Sequence, residues 1–426
     1  MIKVQIADRC NAYFAYKTSV QIKDVFVNEI PLPAITVCNF NRYFGIDNPI
    51  EQLAMDQLST VLDNRYNIES VLYHRHNESV NYFNWTKPGF SLRNYMMDKG
   101  WNFVNGYNQG IYFPTVFYCT LGKTVACSHA NFTAVLTNHL GVCYTLNVNT
   151  SQTIAGKMHG FTVVLDTYQN QYTENIIHGN WEGGILFQVH SPYEPPEVDR
   201  FGYSVGTGTW CSAAIQKLKF TNMPTPWGVC NPANEVLKYH DTYTLSACMK
   251  ECVEKRIIDI CGCRGPSIIN PEDIPECSPV QALNCFAKEL AKAEAVVTPQ
   301  NCNCAYPCKD IKYQTTLSYS TFPHVNGARQ AEALFNFSKG HYHTNVVGLS
   351  VYYESLTITK IEESQSITGS ALLSDIGGQL GLWIGISVVT LFEFFQFIVR
   401  FVHNEIISLR KPKVTKTQVL DIQLHG

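Results

Sequence analysis

The stretch from Ser370 to Val402 constrains this chain more than any other. It is the one run long and apolar enough to cross a bilayer, yet Glu393 and Gln396 lie within it. A membrane helix needs about 20 mostly apolar residues. A carboxylate at bilayer depth costs on the order of 3 kcal/mol, so it normally faces a water-filled cavity or a partner. The same run opens with Gly377, Gly381 and Gly385, spaced four apart. That spacing puts small residues on one helical face and lets backbones approach closely. Close packing beside a wet interior predicts a pore lined by one helix from each of several subunits.

The rest of the chain belongs to an oxidising compartment. Its 16 cysteines are too many for a cytosolic protein. Five Asn-x-Ser/Thr sequons, at Asn77, Asn84, Asn131, Asn149 and Asn336, all precede the apolar run, which places that region outside the cell. Beyond the run stand Arg400, His403, Arg410, Lys411, Lys413 and Lys416, marking that end as cytoplasmic. The expected location is the plasma membrane. A formal net charge of -3 gives no reason to expect a nucleic-acid partner. Near Met1, Lys3, Gln5, Asp8 and Arg9 occupy the place of a signal peptide's apolar core, so export is expected to depend on a membrane segment upstream.

Periodicity gives a mixed α+β ectodomain. Residues 20–40 read as a strand cut by Pro33, hence a sheet edge or a strand start. Helical character is expected over Ile50–Asp63, and β-structure over Val142–Val148, Gly160–Leu165, Gly184–His190 and Val346–Ile361. A helix from Leu245 to Ile258 puts Cys248 and Cys252 on one face. An extended stretch from Asn301 to Cys308 points Cys302 and Cys304 to one side. Residues 230–308 hold ten cysteines whose pairing the sequence leaves open, although a helix stitched to a segment running back suits an antiparallel ladder. Zinc held by Cys261-x-Cys263 and Cys302-x-Cys304 is the competing reading, weakened by the sequons and by the lack of nearby histidines.

Several motifs together resemble the degenerin/epithelial sodium channel superfamily, which includes acid-sensing and FMRFamide-gated channels. They are Leu32 to Asn39, the Gly141-Val142-Cys143-Tyr144-Thr145 run, Glu194-Pro195-Pro196, Pro226-Trp227-Gly228-Val229-Cys230, the ten-cysteine block, and Leu372 through Ser387. The resemblance extends over residues ~12–402. It implies the pairs Cys38–Cys143, Cys119–Cys127, Cys230–Cys308, Cys248–Cys304, Cys252–Cys302, Cys261–Cys285 and Cys263–Cys277, with Cys10 and Cys211 left as free thiols. It also implies a large disulfide-rich extracellular domain on a central β-sheet and a C-terminal pore-lining membrane helix. The implied layout is the end of a first membrane helix at 1–12, an extracellular domain at 13–368 with a disulfide-rich helical lobe at 227–308, a second membrane helix at 369–403, and a cytoplasmic tail at 404–426. With most of the first helix missing, the chain as written is expected not to conduct.

Within the second helix the resemblance assigns Gly385, Ile386 and Ser387 to a selectivity belt, where carbonyls and a hydroxyl replace part of an ion's hydration shell. Glu393 would form an acidic ring two turns below; its alternative is a charge neutralised by Arg400. Gln396 stands where acid-sensing channels have a second acid. Ser374 and Asp375 fall at the gate, with helix capping as the alternative for Ser374. Gly377 and Gly381 would pack helices, and Tyr16 with Trp227 would couple the lobe to the membrane helices. The implied assembly is a homo- or heterotrimer in membrane lipid, passing Na+ when an extracellular ligand, a peptide or the proton, binds.

Of the acids that acid-sensing relatives use, only Glu194 has a match; the partner positions hold Ala287, Ala291 and Ser350, and Lys17-Thr18 replaces a histidine. Glu289 lies nearby as a substitute. A peptide ligand is therefore expected ahead of proton gating. His74-x-His76 and His341-x-His343 are candidate zinc pairs, though loop histidines are usually solvated. No resident cofactor or metal is expected. A single-pass cysteine-rich receptor would explain the disulfides but not the glycine stripe. With neither Gly-x-Ser-x-Gly nor His-Glu-x-x-His present, the chain reads as no enzyme.

Overall fold

The computed structural model of the chain describes residues 2–55, 89–103, 106–108, 111–113, 115–172, 181–231, 236–268, 274–385 and 387–410. Asn77, Asn84, His74 and His76 lie outside them, as does most of the expected helix Ile50–Asp63, of which 50–55 are helical. The chain divides into two compact units, Met1–Ser19 with Gln365–Gly426, and Val20–Ser364.

The larger unit is mixed α+β and rests on two sheets. The first comprises β1 (Thr18–Phe26), β3 (Val116–Leu121), β4 (Val125–Ala126), β7 (Phe161–Asp166), β10 (Thr209–Thr221), β11 (Lys309–Thr321) and β12 (Val346–Gln365), in the order β11-β10-β12-β7-β3-β4, with β1 also on β12. The pairing of β10 with β12 is parallel, with Thr209 facing Val347, whereas β10 with β11 is antiparallel. Residues 346–351 of β12 are all buried, as a central strand covered on both faces requires. Gly160 precedes β7 because a Cβ there would lie 2.2 Å from the carbonyl oxygen of Val351.

The second sheet comprises β2 (Ala34–Asn39), β5 (Phe132–Thr137), β6 (Gly141–Leu146), β8 (Ile185–His190) and β9 (Tyr203–Val205), in the order β9-β8-β2-β6-β5. Pro33 stands just before β2, so the strand-start reading holds and the edge reading fails: β2 is central and wholly buried. Cys38 and Cys143 face each other across β2 and β6 with their Cα atoms 4.3 Å apart, joined as a disulfide. Cys119 and Cys127 join β3 to the segment after β4.

The other five disulfides lie in the helical lobe: Cys230–Cys308, Cys248–Cys304, Cys252–Cys302, Cys261–Cys285 and Cys263–Cys277. These bonds occupy the cysteines that the zinc reading required. Its long helix runs Leu245–Cys261, capped by the Thr244 side chain and ended by Gly262 at φ 65°. Cys302 and Cys304 do reach this helix, but not on an extended segment. They sit in a turn around Asn303 at φ 53°, where the Cys304 N–H donates to Pro299 O at 2.8 Å. Ile257, Leu283, Phe286 and Leu290 form the lobe's core with Tyr95 and Met96 of the helix Leu92–Lys99. Cys10 and Cys211 carry no disulfide; Cys211 is buried, and burial pushes its thiol up to about 11.

Candidate functional site

The apolar run folds as two helices, Gly369–Ile384 and Val388–Arg410. Among the described residues no helix is long and apolar enough to cross a membrane, and the expected membrane segment at 369–403 is not one continuous helix. The reason is local. At 1.5 Å per residue, 16 residues cover about 24 Å, short of the roughly 30 Å of a bilayer's hydrocarbon. The second helix is longer but carries Glu393, Arg400, Glu405 and Arg410.

The break between them falls at the residues assigned to the belt. Gly385 takes φ 71°, ψ 16°, and its N–H still donates to Gly381 O at 3.1 Å, closing the first helix with a left-handed residue. Ser387 opens the second: its Oγ accepts from the Thr390 N–H at 3.2 Å, and its own N–H donates to Thr390 Oγ1 at 2.9 Å. This reciprocal pair is a capping box with threonine at the third position, a signal present in Ser387-x-x-Thr390 that the sequence reading missed. Ile386 lies outside the described residues.

Glu393 is exposed, and no ion pair joins it to Arg400, so the neutralised-charge alternative is not realised. Around it Phe392, Phe394, Phe395 and Phe397 are all more than 60% exposed, an apolar surface that no described element covers. A Cβ built on Gly377 meets nothing within 4 Å, so among the described residues nothing packs against this part of the glycine stripe. Ser374 is exposed, and the first helix is capped instead by Thr368, whose hydroxyl accepts from the Ala371 N–H at 3.1 Å. Asp375 pairs with Arg9 of the helix Ile2–Phe14 at 3.6 Å, a contact the sequence reading did not foresee. Both groups are about half exposed, where such pairs contribute roughly 0–1 kcal/mol.

Tyr16 ends the N-terminal helix at φ 50°, its N–H donating to Tyr13 O at 3.1 Å. Trp227 sits in a tight turn of the larger unit, its N–H donating to Pro224 O at 3.1 Å.

The ligand-sensing expectations meet a different arrangement. Ser350 is fully buried in β12, its hydroxyl 3.1 Å from Thr162 Oγ1 and accepting from Trp210 Nε1 at 3.1 Å, and Ala287 is buried in the lobe. Glu289 is committed to Lys292 at 2.7 Å. The neighbouring acid of Glu194 is instead Asp310 on β11: burial first, then the field of Asp310, opposed by Lys312, raise Glu194 to about 7. His341 turns inward, away from any zinc pair, to bond Asp166 at 2.8 Å and stack on Phe337 at 4.1 Å. Among the described residues no group of His, Cys, Asp and Glu could hold a metal ion.

These shifts carry a sign for stability. Glu194 and Glu254 are both raised from 4.5 to about 7, the second by burial foremost. The folded state keeps protons that the unfolded state releases, so their contribution is full below 4.5 and is lost as pH rises through 7. His190, pushed by burial from 6.5 down to about 4, does the opposite, its contribution being full above 6.5 and lost as pH falls through 4. The melting temperature should therefore fall between pH 6.5 and pH 8, with a weaker slope in Glu254→Gln. An unchanged slope in that variant, read by scanning calorimetry, would remove Glu254 as a cause.

A family profile described as "Amiloride-sensitive sodium channel" matches residues 1–397. Acid-sensing ion channel 2 of Danio rerio is 30% identical over 428 residues, covering 96% of this chain and 77% of the relative. Bile acid-sensitive ion channel of Mus musculus is 29% identical, covering 92% and 78%. Acid-sensing ion channel 1 of Gallus gallus is 27% identical, covering 93% and 76%. With the profile spanning all of Val20–Ser364, the helix Gly369–Ile384 and the first part of Val388–Arg410, the chain belongs to the amiloride-sensitive sodium channel family.

Proposed function

We propose that this chain is a subunit of a trimeric, ligand-gated, sodium-permeable and amiloride-sensitive channel of the plasma membrane. The observation that carries the reading is the helix break at Gly385 and Ser387, inside the apolar run and two turns before an unpaired Glu393. Backbone that departs from helix at membrane depth is tolerated where it lines water. Three copies of Glu393 would concentrate cations below the break, and Gly377, open in the single chain, would meet a neighbouring subunit. The seven disulfides and the exposed sequon residues Asn149 and Asn336 support an extracellular Val20–Ser364, and the basic tail a cytoplasmic C-terminus.

The opening stimulus in this reading is an extracellular neuropeptide, since Ala287, Ala291 and Ser350 cannot share a proton with Glu194. Proton gating is the second reading, favoured by Glu194, whose midpoint of about 7 under the field of Asp310 lies in the range of extracellular acidification. Two-electrode recording from oocytes, with a relative's first membrane helix fused ahead of this chain and the fusion expressed alone and beside related subunits, tests both. RFamide-type peptides should evoke an inward sodium current that amiloride blocks. Current evoked by acid alone would replace the peptide with the proton, and silence to every stimulus despite surface expression would overturn the channel reading.

A further inference from the structure

A cavity of about 210 Å³ lies within the larger unit, between the helix Leu245–Cys261, the helix Ala287–Val296 and the turn at 137–139. Val253, Ile257, Ile268, Phe286 and Leu290 give it apolar walls. Three polar groups, on Asn138, Glu254 and Ser267, also line it. Ser267 is 8% exposed, and its hydroxyl has no hydrogen-bond partner. The amide oxygen of Asn138 is likewise buried without one. Glu254, 5% exposed in mid-helix, has a carboxyl that no hydrogen bond or ion pair reaches among the described residues. Buried polar groups left unsatisfied cost about 1–3 kcal/mol each, so two of them beside a buried carboxyl around one cavity require an explanation.

The chemistry of the three points one way. A carboxylate and an amide oxygen accept hydrogen bonds, and a hydroxyl can. The rim adds Glu197, Asp199 and Glu294, against Arg200, which already pairs with Glu197 at 2.8 Å, and Lys250. His139 bridges Asp199 and Glu294 at 3.6 and 2.9 Å, which closes one side of the rim. We infer that this cavity binds a small organic cation, an ammonium or guanidinium group on a short apolar body, with the cation at Glu254, Asn138 and Ser267 and the body against Phe286 and Leu290. The site needs no permeation pathway, so it stands or falls separately from the channel reading.

The test is calorimetric titration of the full-length protein in lipid nanodiscs at pH 8, with n-butylammonium and its neutral twin n-butanol as probes. Val297→Trp, which places a large ring in the cavity mouth, supplies the background from partition into lipid. Above that background butylammonium should bind saturably at one site per chain, with butanol at least about tenfold weaker, the scale of a hydrogen bond to a charged group. Glu254→Gln should abolish that preference, and Ser267→Ala should weaken butylammonium about fivefold. Should Glu254→Gln fail to fold, Ser267→Ala decides. Equal binding of the two probes, a preference that survives in Glu254→Gln, undiminished butylammonium binding in Ser267→Ala, or no saturable heat would overturn the inference.

Discussion

Gly385→Val is expected to reduce the sodium current more than tenfold at unchanged surface expression, the largest functional effect of any single substitution in the chain. Gly385 holds φ 71°, a region that costs an L-residue roughly 1–2 kcal/mol and in which a β-branched side chain is an outlier. Valine would favour ordinary helical angles there. The helices Gly369–Ile384 and Val388–Arg410 would then tend to merge into one rod, with the break that the proposed pore requires lost. The larger unit lies outside this change, so folding and export should proceed as in the parent. Recording paired with surface biotinylation checks it. Currents of parental size with parental selectivity would mean that the break at Gly385 is not the narrow part of the pathway.

The second large effect concerns stability. Replacing both Cys38 and Cys143 by alanine should lower the stability of the larger unit by about 4 kcal/mol, from loop-closure entropy released in the unfolded chain across a separation of 105 residues. Native stabilities are about 5–15 kcal/mol, so a large part of the margin would go. The thermal midpoint of the purified protein should fall on the order of 10 °C, with most copies retained inside the cell. Removing Cys119–Cys127, which spans only 8 residues, should cost clearly less. Equal midpoints for the two double variants would show that loop length does not govern the effect.

Much of this was legible in the chain. Ser370 to Val402 announced its own contradiction, and the glycine and serine at 385 and 387 marked where the helix gives way. The buried strands Phe161–Asp166 and Ile185–His190 appeared within a residue of their places because Val, Ile, Leu and Phe dominate them. The longest strand pair was missed although its signal is plain: Ile311, Tyr313, Thr315, Leu317 and Tyr319 alternate with polar residues along β11. The turn at Asn303 was missed for another reason, since a cysteine pair two apart fits a strand or a tight turn equally well. Contacts between distant segments left no local trace at all. Arg9 with Asp375, Asp310 beside Glu194, and Asn138, Glu254 and Ser267 around one cavity are products of topology, invisible until the strands are placed.

The cysteine-rich lobe leaves the first sheet at the end of β10 and returns at the start of β11, two strands that pair along their full length from Thr209↔Thr321 to Thr221↔Lys309. At that neck the Asn222 N–H donates to Cys308 O at 2.8 Å, and Cys230–Cys308 ties the two ends. The sheet is therefore complete without the lobe, which hangs from it as a clipped-on cassette. Such an attachment leaves the pairing of the two strands untouched by changes within the cassette, and confines the lobe's influence on the frame to the neck and to the core it shares with Leu136 and Val142.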